Sequence, residues 1–146
     1  MKRRLLVALP VVAVSVSLLS GCGVANVISP PFASAIYATT ADAAGADSSV
    51  AIPAWVPADA TFIRVKTDQT HGASILMFSP AATAPVFTGC DAASDPEVDQ
   101  AQSTGALTNQ LSETWWPQKL NDGVGVVCAG AWHLFGQDGK YYAWTP

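Results

Sequence analysis

Ala131–Pro146 reads "AWHLFGQDGKYYAWTP", and the fold is read outward from it. Asp138-Gly139 is the strongest two-residue hairpin signal, because a type I′ turn needs positive φ at both central positions. Pairing Gln137 with Lys140 places Gly136 opposite Tyr141, Phe135 opposite Tyr142, Leu134 opposite Ala143, His133 opposite Trp144 and Trp132 opposite Thr145. Side chains alternate across a strand. Trp132, Leu134, Tyr141 and Ala143 therefore share one face, and His133, Phe135, Tyr142 and Trp144 share the other. The first face is expected to meet the core, because the second carries the imidazole. The second is then the candidate binding surface for a partner or ligand, and a one-residue slip would exchange the two.

Upstream of the hairpin, "GVGVVCAG" reads as a strand carrying Cys128, and "VFTGC" as a short strand delivering Cys90. Thr61–Thr67 alternates: Ile63 and Val65 point one way, Arg64 and Lys66 the other, as in a half-buried strand. "DQTHG" supplies turn residues, and "ASILMFS" is apolar on both parities, which suits a central strand covered on both faces. Pro53 and Pro57 bracket Trp55 in an extended entry. Ser94 to Glu97 matches a capping box with Pro96 in the first turn, although a weak, polar run follows it. Leu107, Leu111 and Trp115 fall at i, i+4 and i+8 before Pro117, which predicts a short helix over 108–116. The expected fold is α+β: an antiparallel sheet of about five strands with one short helix over residues 53–146.

The chain opens differently. Lys2, Arg3 and Arg4 precede an apolar run of about 15 residues, Leu5–Leu19, the size of a secretory signal. It falls short of the roughly 20 residues that span a bilayer. Leu19-Ser20-Gly21-Cys22 then resembles the lipobox of bacterial lipoproteins. That resemblance implies cleavage before Cys22, a diacylglyceryl thioether on its sulfur, and a protein held on the extracytoplasmic face of the cell membrane. Residues 1–21 are read as the signal peptide, and 22–52 as the lipidated N-terminus and flexible tether, Ala/Ser/Thr-rich with Pro30-Pro31. The stretches "PAWVPADATFIRVKT", "WWP" and "CAGAWHLFGQDGKYYAWTP" are similar to small secreted proteins and lipoproteins of high-GC Gram-positive bacteria. The shared features are aromatic and structural, and they imply no catalytic residue.

Without residues 1–21 the chain keeps four cations, Arg64, Lys66, Lys119 and Lys140, against eleven carboxylates, a balance of −7. The cations are scattered in sequence, which excludes the basic footprint of a nucleic-acid binder. Cys90 and Cys128 form an even pair in an exported domain and read as a disulfide.

Catalytic and metal signatures are missing from the sequence: it has no H-E-x-x-H, C-x-x-C, G-x-S-x-G or phosphate-cradling glycine loop. His71 near Asp68 would make half a metal site but reads better as a turn. Asp91, Asp95, Glu97 and Asp99 cluster without EF-hand spacing and read as a solvated loop. No cofactor is expected. Trp55, Trp115, Trp116, Trp132 and Trp144 serve either core packing or recognition of a glycan or envelope protein. The expectation is a non-enzymatic envelope module; a hydrolase whose polar groups converge only in three dimensions is the alternative.

Overall fold

The computed structural model describes residues 31–46, 50–80, 82, 87–90, 95–107 and 111–146. The signal peptide, Cys22, Asp91 and Ser94 lie outside the described residues. No described helix is long and apolar enough to cross a membrane.

Strands β1 (Phe32–Thr39), β2 (Thr61–Asp68), β3 (Ser74–Ser79), β4 (Thr88–Gly89), β5 (Val127–Ala129), β6 (Trp132–Gln137) and β7 (Lys140–Thr145) form one antiparallel sheet, in the order β1-β2-β3-β7-β6-β5-β4. Two short helices, α1 (Thr40–Gly45) and α2 (Pro96–Thr104), accompany it. The sheet has seven strands rather than about five.

The hairpin takes the expected register, from Gln137↔Lys140 through Leu134↔Ala143 to His133↔Trp144. Asp138 and Gly139 have φ of 53° and 70°, as a type I′ turn requires. β3 is covered on both faces, as its unbroken apolar run implied. Leu76 and Phe78 join Ile63, Val65, Leu134 and Ala143 in one core. Ile75 and Met77 join Phe135, Tyr142 and Trp144 in the other.

The first core is closed by the chain between Val50 and Ala60. That segment is not extended. Pro53 and Pro57 each open a turn closed by a backbone bond, Val56 N–H to Pro53 at 3.1 Å and Ala60 N–H to Pro57 at 3.0 Å. The turns present Trp55 to Phe78, Phe87 and Trp132, with ring centroids 6.2, 5.5 and 5.7 Å away.

The second core is closed by α2 and by irregular chain from Leu111 to Val126. α2 starts at Asp95, not Ser94: Asp95 Oδ1 accepts from the N–H groups of Glu97 and Val98 at 3.1 and 3.2 Å, with Pro96 in the first turn. Gly105 ends it at φ 71°, and a Cβ there would meet the Leu120 carbonyl oxygen at 3.1 Å.

The helix expected over 108–116 is not found in its described part; Leu111–Glu113 is irregular and Thr114–Trp116 is a turn. The Leu120 N–H bonds the Gly105 carbonyl at 2.8 Å, and Ala106 bridges Lys119, so both ends of the segment are pinned to each other. Trp116, outside the i, i+4 series, takes the buried position. Its ring lies 6.1 Å from Phe135, 5.9 Å from Tyr142 and 6.5 Å from Trp144.

The ordered domain begins earlier than residue 53. β1 pairs with β2 from Phe32↔Asp68 to Thr39↔Thr61. α1 follows directly, with a capping box between Thr39 and Asp42. The stretch read as tether therefore supplies an edge strand and a helix. Its alternation is faint because Ala33 and Ala35 share the inward parity with Tyr37, the only large residue facing the core.

The disulfide joins Cys90, just past β4, to Cys128 in β5, with Cα atoms 5.0 Å apart. It fastens the two-residue edge strand β4 to the sheet.

Candidate functional site

The hairpin face carrying His133, Phe135, Tyr142 and Trp144 is closed, not open. All four residues are buried, His133 to 4 % exposure. α2 and Trp116 lie over them. The face carrying Trp132, Leu134, Tyr141 and Ala143 meets the other core, as expected. Sequence alternation separates the two faces but does not reveal that both are covered.

His133 nonetheless meets a carboxylate. Its Nε2 lies 2.6 Å from Asp95 Oδ2, and its ring centre is 4.8 Å from that of Trp144. Trp144 Nε1 donates to Glu97 Oε2 at 2.9 Å. Asp95 and Glu97 are thus drawn out of the acidic cluster to tie α2 to β6 and β7. Among the described residues no group of three or more metal-ligating side chains assembles. An Asp–His pair can orient a general base, but His133 Nδ1 is buried without a hydrogen-bond partner.

At the β2–β3 turn, Asp68 accepts the N–H groups of Thr70 and His71 at 2.7 and 3.2 Å and faces His71 Nδ1 at 2.7 Å. The imidazole bond, opposed by burial and aided by the two backbone N–H groups, holds the Asp68 carboxyl below its usual range. This is the turn function expected of these residues.

An open concavity lies elsewhere. α2 and residues 111–126 close the β3-β7-β6 part of their face as core; over β2 the cover thins to the Glu113–Lys66 ion pair and its neighbours, and Ile36 on β1 stays exposed. A cross-strand row runs Ile36↔Arg64↔Met77↔Tyr142↔Phe135. Its outer end is exposed, Ile36 to 73 %, and its inner end is core. Where the cover stops, a cleft of about 740 Å³ forms between this sheet surface and Thr114-Trp115. That volume is within the range of small-molecule sites.

Each wall has a local cause. Phe62 sits in a register irregularity between Thr61 and Arg64 at φ 51°, a strained conformation for a bulky residue. The irregularity turns its ring outward, 70 % exposed, on the lip of the cleft. The opposite wall is held by Lys66, whose Nζ lies 2.8 Å from Glu113 Oε1 and 5.2 Å from the Phe32 ring centre. Trp115 and Trp116 stand edge to face at 6.2 Å, so the buried indole positions the one lining the cleft.

Charge converges here as well. Arg64 and Lys140 line the cleft, and Arg64 and Lys66 line its neighbour. Three of the four cations beyond residue 21, scattered in sequence, are gathered on one face. Lys119 lies apart, in another cleft. The sequence carried part of this signal, since Arg64 and Lys66 share one strand parity. The contribution of Lys140 depends on β7 lying next to β3, and that order is not written in local sequence.

Comparison with family models, with curated proteins and with solved structures returned no match.

Proposed function

We propose that this chain is a lipoprotein, anchored through Cys22 on the extracytoplasmic face of the cell membrane, whose domain is a non-enzymatic binding module. The observation that carries the binding part is the cleft between the β1–β2 surface and Trp115, where exposed Ile36 and Phe62 adjoin Arg64 and Lys140. Exposed apolar groups with a few placed polar ones are the composition of a ligand seat. The carboxylate that His133 meets, Asp95, also caps α2, and His133 itself is buried, which supports a structural role for this pair.

The anchor is supported by the lipobox resemblance of Leu19-Ser20-Gly21-Cys22. Nine residues separate Cys22 from Phe32, so the span is at most ~35 Å even if fully extended. The domain would stay close to the bilayer and meet ligands at or near its surface.

Two measurements test the two parts. Metabolic labelling with an alkyne fatty acid should mark the wild-type chain and not Cys22→Ser; equal label on both would remove the anchor. Envelope lipids and glycans co-purifying with the full chain should fall in Ile36→Asp/Phe62→Asp. Unchanged recovery would remove the cleft as the binding site.

A further inference from the structure

The register of the sheet narrows the class of ligand. Arg64 on β2 and Lys140 on β7 flank β3 on its cleft side: Arg64 pairs with Met77, Met77 pairs with Tyr142, and Lys140 lies two residues before Tyr142 on the same parity. From strand spacing and rise, their backbones are roughly 10–12 Å apart. Two side chains of that length can close this gap on a single anionic group. Lys66 is paired with Glu113, but among the described residues neither Arg64 nor Lys140 has a carboxylate partner. Such a cationic pair is a local exception in a sequence whose residues 22–146 carry a balance of −7.

The remaining lining is mostly apolar, with the hydroxyl-bearing residues Tyr37, Ser79 and Thr114 among it. Ile36 stands directly beside Arg64 across β1–β2, Phe62 is held outward by its positive φ, and Trp115 forms the facing wall. Backbone strain that exposes an apolar ring gives the domain nothing in stability, and such strain concentrates at ligand sites. The seat thus sets two cations among large apolar side chains, a combination that suits an anion joined to hydrocarbon.

We infer that the cleft binds an anionic amphiphile. Arg64 and Lys140 hold its phosphate, sulfate or carboxylate head, and Ile36, Phe62 and Trp115 receive its alkyl chain. Arg64 can meet such a head in bidentate fashion. This rests on the binding-module reading above and adds the chemistry of the ligand to it.

The test is photo-crosslinking of the full chain in phosphatidylcholine nanodiscs, with a diazirine in the alkyl chain of dodecyl phosphate or of dodecyl maltoside. The anionic probe should label peptides containing Phe62 or Trp115. Dodecyl phosphate should compete at a concentration at least tenfold below that of dodecyl maltoside, and inorganic phosphate should not compete. Competition should strengthen about fourfold per added methylene, the equivalent of ~0.8 kcal/mol, until the cleft is filled. Arg64→Gln/Lys140→Gln should cut anionic labelling at least tenfold and leave the melting temperature within a few degrees.

Equal labelling by the neutral probe, unaffected by the charge variant, would overturn the anionic class and leave a binding module. Competition by inorganic phosphate as strong as that by dodecyl phosphate would overturn the amphiphile. No labelling in the cleft by either probe would overturn both this inference and the function it rests on.

Discussion

His133 on β6 and Asp95 at the head of α2 meet at 2.6 Å, and this contact fixes α2 across the sheet. Asp95 divides its two oxygens, Oδ1 to the helix N-terminus and Oδ2 to the imidazole. Asp95→Ala removes both roles. The cap contributes ~1 kcal/mol and a hydrogen bond to a charged group ~1.5–3, so a loss of about 2–4 kcal/mol is expected. Asp95→Asn keeps a good cap residue and should lose roughly half as much. Denaturant unfolding of the two variants separates cap from pair; an Asp95→Asn variant as stable as wild type would show that the imidazole contact contributes nothing.

Phe62→Gly should trade function for stability. Glycine adopts positive φ freely, and relief of a strained position is worth ~1–3 kcal/mol, less ~0.4–1 for the greater freedom of the unfolded chain. The ring is 70 % exposed, so little burial is lost. Thermal melting should show a variant at least as stable as wild type that labels poorly in the cleft. A clear destabilisation would mean that the Phe62 ring packs in the folded state.

Reduction should loosen the sheet from its β4 edge. Closing a loop of 38 residues contributes ~4 kcal/mol in the chain-entropy model. Cys90→Ser/Cys128→Ser should lower stability by up to this amount. Hydrogen exchange should rise first at Thr88 and Gly89, whose strand is only two residues long. Uniform exchange across all strands would contradict that local role.

The acid limb of the stability curve should depend on Asp68. Its carboxyl titrates below the ordinary value of 3.8 in the folded chain, chiefly through the His71 hydrogen bond. A lowered folded pKa means that the unfolded chain binds the proton first as pH falls. The stabilisation is whole well above the unfolded value near 3.9, declines as pH drops through it, and is gone below the folded value. Asp68→Asn should flatten this limb between pH 5 and the acid transition. Tyr142 acts at the other end: burial, then the negative charge of Asp138, raises its phenol above 10.0. Its stabilisation is whole below pH 10 and is lost as pH rises beyond it, so Tyr142→Phe should flatten the alkaline limb. Urea unfolding across the pH range checks both.

Much of this fold is legible locally. Asp138-Gly139 dictates a turn, the turn dictates a register, and the double-sided run of β3 announces a strand with two covers. β1 is obscure because alanines carry its inward parity and a strand needs no strong propensity once β2 offers an edge. Leu107, Leu111 and Trp115 have helical spacing, yet the contacts at Gly105 and Lys119 and the burial of Trp116 prevail over it. The cleft was legible only in halves. Arg64 and Lys66 on one side of a strand are visible in sequence; Lys140 arrives through β3–β7 pairing, and Phe62 faces outward because the β2–β3 register breaks beside it.

The most direct test of the cleft as the working site measures stability and ligand capture together on Ile36→Ser/Phe62→Ser. Both residues are largely solvent-exposed, and substitutions at such positions change stability by about 0.5 kcal/mol or less. The expected result is a melting temperature close to wild type with cleft labelling, by anionic and neutral probes alike, reduced at least tenfold. A fall in stability of several kcal/mol with labelling intact would contradict it, by showing that Ile36 and Phe62 pack as core and bind nothing.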